Sequence, residues 1–164
     1  MKKLLAFACA MAMAACAFAA GNLKADDCEL GEAKDGVVIK GDFKYFVDST
    51  ILVSDKSSEP IKNGDVSYTK RIETKGIKDG IVFSAKKGEV VTVVGTSGSK
   101  KESRTFSIRP VDNQGKKIGS MKAPEWNMKS PKFSTGSVTI PEDGEYIVRG
   151  TSGGGMYIFE IDIK

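Results

Sequence analysis

Beyond residue 36 the chain alternates apolar and polar positions with a period of two, in short runs broken by turn residues. Residues 37–39, 43–47, 51–53, 66–72, 81–83, 90–94, 105–111 and 117–121 read as strands, because alternation places successive side chains on opposite faces of a pleated ribbon. Clusters of Gly, Asn, Asp, Ser and Pro separate them. The tail adds three more strands, divided by Pro141-Glu-Asp-Gly144 and by Gly153-Gly-Gly155, where glycine reaches backbone angles that other residues avoid. In the last strand, alternation predicts Tyr157, Phe159, Ile161 and Ile163 on one face and Met156, Ile158, Glu160 and Asp162 on the other. In the same way Phe106 and Ile108 oppose Thr105, Ser107 and Arg109, and Tyr146 and Val148 oppose Ile147 and Arg149. Residues 90–94 are nearly apolar throughout, as expected of a centrally placed strand covered on both faces.

Many short strands with no long helical period predict an all-β, two-layer antiparallel sandwich or a barrel. A short echo, Gly88-Glu-Val-Val-Thr-Val-Val-Gly-Thr-Ser-Gly98 against Gly144-Glu-Tyr-Ile-Val-Arg-Gly-Thr-Ser-Gly153, marks two similarly built strands. It is too short and too isolated for a repeat array.

The front of the chain is different in kind. Met1-Lys2-Lys3 is basic, residues 4–15 are apolar and uncharged, and Ala17-Phe18-Ala19 has the small-x-small pattern of a signal-peptidase site. The run is too short for a permanent membrane anchor. Residues 1–19 therefore read as a signal peptide, 20–35 as a flexible polar tether and 36–164 as one β-sandwich domain. Export to the periplasm, the cell surface or the medium follows. A second processing route competes: Met13-Ala-Ala-Cys16 resembles a loose lipoprotein signal with Met where Leu is usual, and would tether the chain to a membrane through a lipidated Cys16. Cys9 leaves with the leader in either case. An internal Cys16–Cys28 disulfide is not expected, and Cys28 reads as a half-buried thiol near a frayed end.

Charge names no partner. The formal charge of +4 falls by two when Lys2 and Lys3 leave, and the remaining Lys and Asp/Glu residues interleave as on a solvated surface, so no nucleic-acid partner is expected. The chain contains no histidine. That removes the commonest general base, the commonest zinc ligand and every Ser-His or Cys-His nucleophile. Gly150-Thr-Ser-Gly-Gly-Gly155 lies between two strands, a context that excludes a phosphate-binding loop at a helix start. Paired carboxylates could still serve as acid and base. However, Glu160 and Asp162, the acids set among apolar residues, alternate outward toward solvent. No enzyme activity and no cofactor are expected, and no ligand spacing singles out a structural calcium.

The tail carries a family likeness. Phe133-Ser-Thr-Gly-Ser-Val-Thr-Ile-Pro-Glu-Asp-Gly-Glu-Tyr-Ile-Val148, a Ser-Gly-rich turn and Met156-Tyr-Ile-Phe-Glu-Ile161 resemble the ending of the β-jelly-roll modules attached to bacterial pectate lyases and related enzymes. Tyr68-Thr-Lys-Arg-Ile72, residues 81–94 and Ser103-Arg-Thr-Phe-Ser-Ile108 resemble their upstream strands, with Ser103 where Asp is usual. The likeness covers residues 43–163. The pre-peptidase C-terminal domains of secreted proteases end similarly, but their Asp-Leu-x-Leu motif is replaced here by Arg104-Thr-Phe-Ser-Ile108.

The first resemblance implies a jelly-roll sandwich that binds polysaccharide without catalysis. Such binding stacks exposed aromatics on sugar rings and hydrogen-bonds the hydroxyls through Arg, Lys, Asn or Asp. The residues it points to are Trp126, in the polar loop 122–132, then Arg71, Arg104 and Tyr68; acidic sugars would call for bidentate arginine contacts. Trp126 has a competing role as a plug for one end of the sandwich. The functional alternative is a cell-envelope structural or protein-binding component without sugar affinity.

Overall fold

A computed structural model describes residues 21–55 and 60–164; the expected leader lies outside the described residues. The strands, in chain order, are β1 (Asn22–Lys24), β2 (Gly31–Glu32), β3 (Val38–Lys40), β4 (Phe43–Val47), β5 (Leu52–Ser54), β6 (Ile61–Asn63), β7 (Val66–Tyr68) and β8 (Arg71–Thr74). They continue with β9 (Asp79–Ala85), β10 (Val90–Ser97), β11 (Arg104–Pro110), β12 (Gly119–Ala123), β13 (Ser134–Thr139), β14 (Gly144–Gly150) and β15 (Met156–Ile163). Two antiparallel sheets face each other. Sheet A runs β13-β10-β15-β8-β5-β2, with β1 added beside β15, and sheet B runs β12-β11-β14-β9-β4-β3. A small β6–β7 hairpin pairs with neither sheet. The all-β sandwich read from alternation is the fold of the protein.

The interior lies between the sheets. Phe43, Ile72, Ile81, Phe83, Val91, Val93, Phe106, Ile108, Tyr146 and Val148 fill it, so the inward faces of β11 and β14 are those that alternation predicts. Ile147, on the opposite side of β14, is also fully buried.

In β15 the predicted face assignment is overturned. Its register against β10 slips between Val94 and Gly95, where Glu160 pairs with Val94 but Ile158 pairs with Gly95, leaving Phe159 as an extra residue. A bulge of this kind reverses the phase of everything beyond it. Met156, Ile158, Ile161 and Ile163 therefore enter the main core, while Phe159 turns to the outer face of sheet A with Tyr157 beside it. Gly95 makes the bulge compatible with the core: a Cβ there would sit 2.5 Å from the Phe106 ring and 2.8 Å from the Tyr157 carbonyl oxygen.

The expected tether is also corrected. β1 pairs with β15 in the register Leu23↔Ile161, a single turn of 3-10 helix follows at Ala25–Asp27, and Leu23, Ala25 and Cys28 are buried in the main core. Cys28 is 2% exposed, not half-buried at a frayed end. Polar contacts fasten the segment from the other side. The Asp26 carboxylate accepts the amides of Thr69 and Lys70, and the Lys70 ammonium donates to the Cys28 carbonyl at 2.7 Å. A three-residue strand is too short to display a period, so burial here comes from tertiary pairing alone.

Every crossing from one sheet to the other by loops 48–51, 75–78, 98–103, 124–133 and 151–155 occurs at the same end of the sandwich, as the strand registers require. Asp79 is the pin of this end. Fully buried, its carboxylate accepts the backbone amides of Asp48, Ser49, Thr50 and Lys75 at 2.8–3.1 Å, tying loop 48–51 to loop 75–78.

Candidate functional site

The outer face of sheet A carries a second apolar cluster next to the crossover loops. Phe159, displaced outward by the bulge, packs with Val94, Ile61, Tyr68 and Trp126, and Phe133 and Tyr157 close its sides. Trp126 stacks on Phe159 at 6.0 Å between centroids and meets Tyr157 edge-on at 5.4 Å; Tyr68 tilts against Phe159 at 5.4 Å. Aromatic pairs at these separations add about 1 kcal/mol each beyond their buried area.

Three of the four residues named from sequence meet here, facing protein. Trp126 is 5% exposed, Arg71 5% and Tyr68 1%. The Arg71 guanidinium lies over both Tyr157 and Trp126, at 4.3 and 5.2 Å from the ring centroids, and donates to the Glu73 carboxylate at 3.1 Å. Ser54 donates its hydroxyl to the same Glu73 oxygen. The Tyr68 hydroxyl donates to Glu160 at 2.7 Å, and Asn22 supplies a second donor to that carboxylate at 2.6 Å. Burial, reinforced by the hydrogen bond to Glu160, pushes the Tyr68 phenol well above its ordinary range. Burial likewise raises Tyr157, with the Arg71 charge working against it. Arg104 stands apart from the aromatic stack: its side chain runs along Gly154, donates to the Gly155 carbonyl, and lies 3.8 Å from Glu102.

Above this cluster loops 98–103 and 124–133 are clipped together. Ser97 donates its amide to the Pro124 carbonyl and Trp126 donates to that of Ser99, each at 2.8 Å. Between them opens a groove of about 990 Å3, lined by Lys100, Lys101, Lys129 and Lys132 with Glu125, Asn127, Met128 and Ser130, and by the edge of Trp126. Met128 is half exposed. The groove can hydrogen-bond hydroxyls and attract negative charge. Sequence reading found the loop through its tryptophan and passed over the lysines, which were visible as Lys100-Lys101 and as Lys129-Ser-Pro-Lys132.

The fold is a β-jelly-roll sandwich, and solved carbohydrate-binding modules and an adhesin domain share it. The CBM35 of Abf62 from Cellvibrio japonicus is 14% identical over 88% of this chain and 93% of that one, with a TM-score of 0.51. A Xyl-CBM35 in complex with a glucuronic-acid-containing disaccharide matches at 12% identity, 87% and 91% coverage and a TM-score of 0.50. The K2 cleaved adhesin domain of Lys-gingipain shares the fold at 10% identity, 89% and 99% coverage and a TM-score of 0.58. No protein-family model and no curated protein matches the sequence.

Proposed function

We propose that the protein is an exported, non-catalytic module that binds polysaccharide in the groove between loops 98–103 and 124–133. The observation that carries this reading is the groove itself: a basic, hydroxyl-ready depression at the crossover end, built on a buried aromatic floor. Lys100, Lys101, Lys129, Lys132, Asn127 and Ser130 are the hydrogen-bonding side chains in this reading. Met128 offers apolar surface to a sugar ring, and Trp126 contributes only its edge. Arg71, Tyr68 and Arg104 act on the sugar indirectly, by holding Trp126, β7 and loop 151–155 where they are. The solved CBM35 complex with an acidic disaccharide supports the reading by likeness of fold.

A glycan array followed by affinity gels tests it. Retardation by at least one polysaccharide is expected, with a loss of about tenfold in affinity when the four groove lysines are replaced by serine. Retention by protein ligands with no glycan shift would instead favour the envelope protein-binding reading, to which the likeness to an adhesin domain lends its support.

A further inference from the structure

The outer face of sheet B carries cations whose counter-charges are missing. Strand registers lay Phe46, Gly80, Arg149, Ser107 and Ser120 in one row across β4, β9, β14, β11 and β12. The adjacent row places Arg109 beside Ile147 and Val82. Arg109 and Arg149 are thus diagonal neighbours on adjacent strands, within reach of one another's long side chains. Ile147, between them on the same face, is fully covered although it faces outward, its side chain lying over Gly80.

Neither arginine forms an ion pair among the described residues. Arg149 donates one Nη1 hydrogen bond to the Ile77 carbonyl at 3.1 Å, and its Nε is buried with no acceptor. Arg109 donates to Ser107 Oγ at 3.0 Å and to the Gln114 carbonyl, both neutral acceptors. Lys44 on the same face is already paired with Glu145 at 3.0 Å. A buried guanidinium N–H without an acceptor is uncommon in folded proteins and calls for a partner. Burial, and then the charge of Arg109, lower the pKa of Arg149, so the two cations feel one another. An anion between them would offset the repulsion.

We propose that the outer face of β9, β11 and β14 is a second binding face that holds an oxyanion on a sugar, a uronate carboxylate or a sulfate ester, between Arg109 and Arg149. The half-buried Phe46 ring closes the far end of the row, beyond Gly80, over which the Ile147 side chain lies. The inference takes only the saccharide carrier from the reading of the groove; its place and its charge are its own.

The test is NMR titration of the protein with polygalacturonate, with dextran sulfate and with neutral dextran. The Arg149 Nε–H signal and the amides of 107–109 and 147–149 move with one or both charged polymers and stay fixed with dextran. A response to polygalacturonate alone identifies the carboxylate, and one to dextran sulfate alone identifies the sulfate. R149Q and R109Q each weaken the responding polymer about tenfold or more, and R149K, which keeps the charge but loses the fork, falls between. If R149Q unfolds, R109Q decides alone. Shifts confined to loops 98–103 and 124–133 overturn the second face and leave the groove reading standing. Silence toward all three polymers overturns the second face, and the groove reading is then decided by the glycan array.

Discussion

The Arg71 guanidinium carbon rests 4.3 Å from the centroid of the Tyr157 ring, on the outer face of sheet A. That contact adds to the backbone pairing of β8 with β15, and the same guanidinium lies 5.2 Å from the Trp126 ring. Arg71→Ala removes the buried partner of Glu73 and the support of both rings, with an expected loss of about 3 kcal/mol in denaturant unfolding. Arg71→Lys keeps the charge but loses the planar stack, and loses about 1 kcal/mol. Trp126 is the sole tryptophan, so its emission reports the change: blue-shifted in the native protein and red-shifted in R71A.

Gly95 sits where the bulge of β15 meets the core. A methyl group there collides with the fully buried Phe106 ring and with the Tyr157 carbonyl, neither of which is free to retreat. Gly95→Ala is expected to destabilise the fold by about 3 kcal/mol, against no more than a few tenths for Gly153→Ala, where a Cβ meets nothing. Paired urea melts measure the difference.

Cys28 lies in the main core rather than at a loose end. Burial raises its thiol, and little surface is offered to a reagent. Alkylation at mildly alkaline pH should run on the order of 100-fold slower in the native protein than in urea, because the thiolate must wait for an opening of the fold. Mass spectrometry over a time course checks it.

Burial also raises the phenols of Tyr68, Tyr146 and Tyr157 in the folded state. The folded protein then holds these protons more tightly than the unfolded chain, whose phenols ionise near pH 10. Stability from this source is complete below about pH 10 and is lost as the pH rises through the folded values. A flat melting temperature through neutral pH, followed by a fall above about pH 10 together with the rise of phenolate absorbance, is expected. Phenolate absorbance rising at pH 10 with no change in melting temperature would contradict it.

The sheets were legible because two-sided alternation is a property of consecutive residues: Phe106 and Ile108, or Tyr146 and Val148, declare their face without outside help. What lay hidden depended on pairs far apart in the chain. The bulge exists only where β15 meets Gly95, and without it Phe159 counts as core and Tyr157 as its companion. Leu23 is buried by Ile161, and nothing within residues 20–35 signals that partner. Trp126, Arg71 and Tyr68 do converge, yet the loop tryptophan that looked free to meet a sugar is held beneath its loop by Phe159. The lysines around it, Lys100-Lys101 and Lys129-Ser-Pro-Lys132, lie in two separate loops, and only the docking of loop 98–103 on loop 124–133 gathers them. Arg109 and Arg149 read as ordinary outward residues until the strand register sets them diagonally.

The claim that the crossover end binds saccharide is tested most directly by mapping amide shifts on titration with the polysaccharide that retards the protein most in affinity gels. Shifts in loops 98–103 and 124–133, abolished together with gel retardation when Lys100, Lys101, Lys129 and Lys132 are replaced by serine in a protein that melts normally, are the predicted result. A panel of neutral and acidic polysaccharides that leaves these loops unmoved would contradict the account.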